Sequence, residues 1–246
     1  MEAILDKFNQ VYFEKTFSLM NRFDFKFLLK SSEAIAFLNH LYREYDLIAN
    51  NEIMIRSYET KYFDTYQRDT FLMHHNGKFP RYKIRTRTYL DTNDQFVEVK
   101  FKNNKGLTEK YRNKLIEVDN LFMQPDVISF LNSHKIHDLE SLQESLLVNY
   151  QRISLKHKQL NERITLDFNL TFSGNQKKTL LEDIVIVEVK EERKCISSAM
   201  EILRSFNKRS ISMSKYCYGI SSTDPSIKYN NFNPLLKNIH KLTIQQ

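Results

Sequence analysis

The sequence predicts an α+β fold, an antiparallel β-barrel with helices packed on its outside. Several segments alternate charged residues with apolar or aromatic ones, the period of two that belongs to strands with one polar and one apolar face. Between them lie segments whose apolar residues recur at helical spacing and need an apolar sheet face as partner. If the apolar strand faces pack outward against those helices, the charged faces share one interior.

The elements follow in order. Ile4, Leu5, Phe8, Val11 and Tyr12 share a helical face, which predicts a short amphipathic helix over Ala3 to Tyr12, within an N-terminal region of residues 1–20. From Asn21 to Leu29, Arg22, Asp24 and Lys26 alternate with Phe23, Phe25 and Phe27, a strand pattern. Ser31 and Ser32 offer caps to a helix with a buried stripe of Ile35, Leu38, Leu41, Tyr42 and Tyr45. Strands are expected at Ser57 to Asp64, Thr70 to His75, Tyr82 to Leu90 and Gln95 to Phe101. Turn-like segments such as Asn76-Gly77-Lys78 and Asp91-Thr92-Asn93-Asp94 separate them. Pro125 starts a helix to about Asn132, and Asp138 caps another carrying Leu139, Leu142, Leu146 and Leu147. Strands then run over Leu147 to Leu155, Glu162 to Phe172 and Ile184 to Glu191, followed by a helix from about Ile196 to Phe206 and a closing segment around Met213 to Tyr218. In the tail, residues 221–246, Leu235, Leu236, Ile239 and Leu242 stand at helical spacing and are expected to dock on the body.

With 246 residues, 41% of them hydrophobic, the chain can bury a substantial core. Val97-Glu98-Val99-Lys100 recurs as Val187-Glu188-Val189-Lys190, each after a strand rich in Arg and Thr, which favours two related halves of one domain over residues 1–246. A net charge of +7 favours a polyanionic partner. Only four glycines occur, and neither a phosphate-cradling P-loop nor a dinucleotide fingerprint is present, so phosphate would have to be held by side chains. Cys195 and Cys217 lack redox or zinc spacing and read as ordinary thiols of a reducing cytoplasm. No apolar run is long enough to span a bilayer. His134 and His137 read as a solvated helix end rather than a zinc site, and Tyr62, Phe63, Tyr82 and Tyr89 as sheet packing.

Charges two apart point the same way along a strand. Lys83, Arg85 and Arg87 therefore share a face, as do Glu98, Lys100 and Lys102, then Arg163, Thr165 and Asp167, and Glu188 with Lys190. An interior lined with both signs is costly unless each charge finds a partner, because a buried ion loses several kcal/mol of hydration. A phosphate chain with a metal ion would supply partners for both.

The residues that carry a resemblance are Arg22-Phe23-Asp24-Phe25-Lys26, Tyr62-Phe63-Asp64-Thr65, Lys83-Ile84-Arg85-Thr86-Arg87, Val97-Glu98-Val99-Lys100, Tyr150-Gln151-Arg152, Arg163-Ile164-Thr165-Leu166-Asp167, Val187-Glu188-Val189-Lys190 and Ser214-Lys215-Tyr216. In this order the set resembles the polyphosphate-polymerase domain of the VTC (vacuolar transporter chaperone) proteins, within the triphosphate tunnel metalloenzyme fold. The resemblance implies that Lys26, Arg85, Arg87, Lys100, Arg152, Arg163, Lys190 and Lys215 grip phosphates, with Arg22, Lys83 and Ser214 as further substrate-binding residues. It implies that Glu188, helped by Glu98, holds Mn²⁺ or Mg²⁺. Asp24 departs from the pattern, where the family usually has Glu. ATP and inorganic polyphosphate or triphosphate are the implied ligands, in a cytoplasmic protein, with a membrane-protein partner at the inner face of a membrane left open. A hydrolase of the same fold and a non-catalytic polyphosphate or nucleotide sensor stand as alternatives. Nucleic acid is not expected, because the cations sit beside carboxylates. Ser214 is open between touching phosphate and capping a turn.

Overall fold

The computed structural model describes residues 1–12, 23–49, 53–116, 120–174, 177–192 and 197–244. Arg22 and Cys195 lie outside them. Helix α1 (Glu2–Leu5) leads into strand β1 (Gln10–Tyr12), then β2 (Phe23–Lys30), α2 (Ser31–Leu41), β3 (Tyr45–Ala49), β4 (Arg56–Asp64) and α3 (Asp69–His75). Three strands follow, β5 (Arg81–Tyr89), β6 (Asp94–Lys102) and β7 (Thr108–Leu115), before α4 (Pro125–Ser133). The second half holds β8 (Gln143–His157), β9 (Glu162–Ser173), β10 (Lys178–Leu181), β11 (Ile184–Glu191), α5 (Ser198–Ser205), α6 (Lys215–Thr223) and α7 (Asn233–Ile244).

The strands form one sheet whose main path runs β2, β11, β9, β8, β4, β5, β6, β7, with β1, β3 and β10 beside it. All pairs are antiparallel except β1 on β3. The repeat seen in the sequence has a place in this order: β6 and β11 stand at matching positions on either side of the central pair β8 and β4, each flanked by an arginine-bearing strand, β5 or β9. The sheet curls so that β2 approaches the far side of the path, since the adjacent residues Met213 and Ser214 accept from Lys26 of β2 and Lys83 of β5.

Alternation along the strands divides the apolar residues between two sides. On the outside, Phe27, Leu29, Ile164, Leu166, Val187 and Val189 pack against Leu5, Phe37, Leu38, Leu41, Ala199 and Leu203 of α1, α2 and α5. Ile84, Val97 and Val99 pack likewise against Val127 and Leu131 of α4. Helix α6 takes the other side. Tyr216, Cys217 and Ile220 of α6 lie against inward-facing Tyr58, Tyr62, Leu146, Val148 and Phe172, so α6 fills one end of the barrel interior. Gly219 permits that approach: a Cβ there would stand 2.3 Å from Leu146 Cδ2 and 2.8 Å from Phe172 Cδ1. Leu235, Leu236, Ile239 and Leu242 of α7 join the same cluster, so the tail docks on the body.

Several expected elements differ. The first helix ends at Leu5, and Val11 and Tyr12 instead extend β1 along β3. Neither Ser31 nor Ser32 caps α2. Glu33 accepts from the Lys30 N–H over 2.8 Å, Ser31 N–H donates to Asp183, and Tyr45 belongs to β3. Thr70 to His75 is helical because the Asp64 carboxylate accepts the first free N–H groups, those of Thr70 at 2.9 Å and Phe71 at 3.0 Å. Leu146 and Leu147 are not on a helix; both pair with β4, opposite Tyr62 and Lys61, and face opposite sides. Strands β7 and β10 were not expected.

Candidate active site

The charged end of the barrel interior is built by cross-strand register. Arg85 of β5 stands opposite Glu98 of β6, which stands opposite Arg112 of β7. Arg85 Nε donates to Glu98 Oε2 at 2.7 Å, Arg112 Nη2 to Oε1 at 2.8 Å, and Arg87 Nη1 lies 3.8 Å from Oε2. Burial alone would raise the Glu98 carboxyl, but Arg85, Arg87 and Arg112 overcome it and hold it well below the usual carboxylate range. Arg87 is 9% exposed and its Nε has no hydrogen-bond partner.

A second carboxylate, Asp167 of β9, is 2% exposed and joins three elements. Arg152 of β8 forks onto it, Nε to Oδ1 at 2.5 Å and Nη2 to Oδ2 at 2.7 Å, and Lys215 at the start of α6 bonds to it as well. Against its burial, those two cations hold the carboxyl low. Glu188 of β11 pairs with Lys190 at 2.7 Å, and Lys190, Lys26 and Arg152 together outweigh its burial and keep it anionic. Arg163 and Asp24 stand opposite Lys190 on either side, so the shorter Asp24 serves as a neighbour of that lysine.

One step along the strands the signs no longer alternate. Lys83, Lys100 and Lys110 stand directly opposite one another across β5, β6 and β7. Like charges at such positions repel. Partial loss of water and then Lys110, Lys26 and Lys83 push Lys100 below the usual lysine value. Lys26 donates to the Met213 carbonyl at 2.7 Å, and Lys83 donates to Ser214 Oγ at 3.0 Å. Ser214 also caps α6, accepting from Cys217 N–H, which is the capping role that the sequence left open.

Tyrosines form the wall between these groups. Tyr58 and Tyr150 stack at 5.0 Å, with Arg152 and Arg87 over Tyr58 and Lys215 over Tyr150. Tyr62 accepts from Arg85 and Tyr89 from Arg112, so these two do more than pack the sheet.

Among the described residues no group of three or more His, Cys, Asp or Glu converges as a metal site. A hard ion such as Mg²⁺ keeps waters and substrate phosphates and needs only one or two carboxylates. Glu188 suits that role, whereas both Glu98 oxygens are engaged by guanidinium groups.

The expected residues Lys26, Lys83, Arg85, Arg87, Glu98, Lys100, Arg152, Arg163, Glu188, Lys190, Ser214 and Lys215 thus lie on the inward strand positions or at the head of α6. Sequence reasoning missed Lys110, Arg112 and the pairing role of Asp167. The period-two spacing of Lys110, Arg112 and Lys114 was the signal for the first two.

No curated protein matches the chain in sequence. Among solved structures it resembles a candidate adenylate cyclase from Bacillus halodurans at 14% identity and a TM-score of 0.53, covering 83% of this chain and 97% of that one. This likeness shows the tunnel-type fold. The candidate adenylyl cyclase HpAC1 from Hippeastrum, described as having a dominant triphosphatase activity, matches at 14% identity and a TM-score of 0.47, with coverage of 83% and 97%. A candidate adenylate cyclase from Vibrio parahaemolyticus matches at 13% identity and a TM-score of 0.47, with 82% and 99% covered. The VTC domain model matches residues 21–223, a span that contains every interior cation named above, and the protein belongs to the VTC domain family.

Proposed function

We propose that this triphosphate-tunnel protein is a polyphosphate polymerase, which transfers the γ-phosphate of ATP to a growing polyphosphate chain with the help of a divalent metal ion. The observation that carries this reading is the length of the cation track. Arg81, Lys83, Arg85 and Arg87 occupy successive inward positions of β5, backed by Lys100, Lys102, Lys110 and Arg112 on the two next strands. The six steps from Arg81 to Arg87 span about 20 Å, longer than one triphosphate, and Lys83, Lys100 and Lys110 stand opposite one another within that track. A linear polyanion would meet these cations one after another along the track.

Phosphoryl transfer needs alignment and charge stabilisation more than a protein nucleophile. Arg85, Arg87 and Arg152 would bind phosphate oxygens with planar forks, and Lys26, Lys100, Lys190 and Lys215 with compact charges. Arg163, beside Lys190, extends the same wall. Glu98 and Asp167 hold the arginines extended until phosphate oxygens replace them. Glu188 would hold Mg²⁺ or Mn²⁺, whose chemistry is to bridge and neutralise phosphates. A terminal phosphate of the chain is the attacking group.

The test incubates purified protein with ATP, Mn²⁺ and a short polyphosphate primer, and resolves products on a polyphosphate-stained gel beside a free-phosphate assay. Chains that lengthen with time, and that are lost in Glu188→Gln and Arg85→Ala, are the expected result. Phosphate release without chains would replace the polymerase by a hydrolase, and tight triphosphate binding without turnover would replace it by a sensor.

A further inference from the structure

The interior cations are of two kinds. Arg85, Arg112, Arg152, Lys190 and Lys215 each bond to a carboxylate. Lys83 bonds to neutral acceptors, its Nζ 2.6 Å from His74 Nδ1 and 3.0 Å from Ser214 Oγ. An ammonium has three N–H groups. Two go to His74 and Ser214, which leaves the third for the tunnel. A cation held by neutral groups keeps its attraction for an anion, whereas one held by a carboxylate must first exchange it.

His74 is set up for this task. With Lys83 as donor, Nδ1 is the acceptor and the ring proton sits on Nε2. Burial, then Lys83, Arg81, Lys100 and Lys102, push the imidazole down to about 2, so it stays neutral. The ring is fixed from both sides: Phe232 meets it edge-on at 5.9 Å, and Cys217 Sγ of α6 lies 3.0 Å from Nδ1. Lys83 needs the support. Burial lowers it most, and Lys26 of β2 with Arg81 and Arg85 of β5 add to that, against Cys217, to bring it down to about 8, with Lys100 of β6 standing directly opposite.

We propose that His74 is a positioning residue of the phosphate site, holding the Lys83 ammonium charged and aimed at a phosphate oxygen of an inorganic triphosphate or longer chain. This rests on the reading of the tunnel as a phosphate site. The experiment is calorimetric titration with inorganic tripolyphosphate between about pH 6 and about pH 10, on wild type, His74→Phe, which keeps a ring without an acceptor, and His74→Asn, which keeps an acceptor near Nδ1. Binding by His74→Phe is expected to be roughly tenfold weaker, with its alkaline limb moved to lower pH, and His74→Asn is expected to restore both. If His74→Phe does not fold, His74→Leu takes its place. Wild-type affinity and pH limb in the Phe protein, or equal losses in the Phe and Asn proteins, overturn the role of His74 alone. No binding by wild type overturns the phosphate reading and this inference with it.

Discussion

Replacing Glu98 by Gln separates two roles for that residue, counter-ion of the arginines or metal ligand. The substitution keeps the shape and removes the charge that Arg85, Arg87 and Arg112 share. Breaking a buried ion pair from one side costs about 3–5 kcal/mol. The side chains of Glu98 and Arg85 are 11% and 25% exposed, but that of Arg112 is 45% exposed, so solvent screens its share. A loss of about 2–4 kcal/mol in urea unfolding at neutral pH is expected. The sign against pH follows from the depressed carboxyl. Its contribution is complete above the unfolded value near 4.3 and fades as pH falls through the lower folded value, so wild type and variant converge in acid. Adding tripolyphosphate without metal should then stabilise the variant more than wild type, because phosphate oxygens take the place of the lost carboxylate. Unchanged stability in Glu98→Gln, together with loss of Mn²⁺-dependent activity alone, would refute the counter-ion role and make Glu98 a metal ligand.

Asp167→Asn leaves Arg152 and Lys215 without their shared carboxylate. A loss of about 3–5 kcal/mol in urea unfolding is expected, and one below about 1 kcal/mol would contradict the buried pairing. Gly219→Ala forces a Cβ onto Leu146 and Phe172 and should lower stability by about 1–3 kcal/mol in a thermal melt, unless α6 sits elsewhere than inside the barrel. Lys83 is held at about 8, below the unfolded lysine value of about 10.4, so its charge opposes folding. The unfolded chain binds the extra proton between those values, and stability should rise with pH across that window. Lys83→Met should flatten the rise; the same slope in the variant would assign it to another group.

Much of the barrel was legible because strand alternation is a local property. Arg85 and Arg87 must share a face wherever their strand goes, and so must Glu188 and Lys190. The misread elements have local patterns that long-range groups overrule. Thr70 to His75 is helical because Asp64 satisfies its free N–H groups, and Leu139 to Leu147 carries four leucines that fit a helix as well as a strand until β4 claims Leu146. His74 is hidden for the same reason: its local pattern reads as a strand, and nothing nearby marks it as a partner of Lys83 nine residues on.

By itself the sequence determined which side chains share a face, that the interior would be basic, and that no glycine loop is there to cradle a phosphate, since period and composition need no partner strand. Only the tertiary structure decided which charges meet. Register places Glu98 between two arginines but Lys100 between two lysines, and Gly219 lets α6 enter the barrel to bring Lys215 to Asp167. Those contacts depend on which strands pair and how far one slides along the next, which the packing of the whole chain sets.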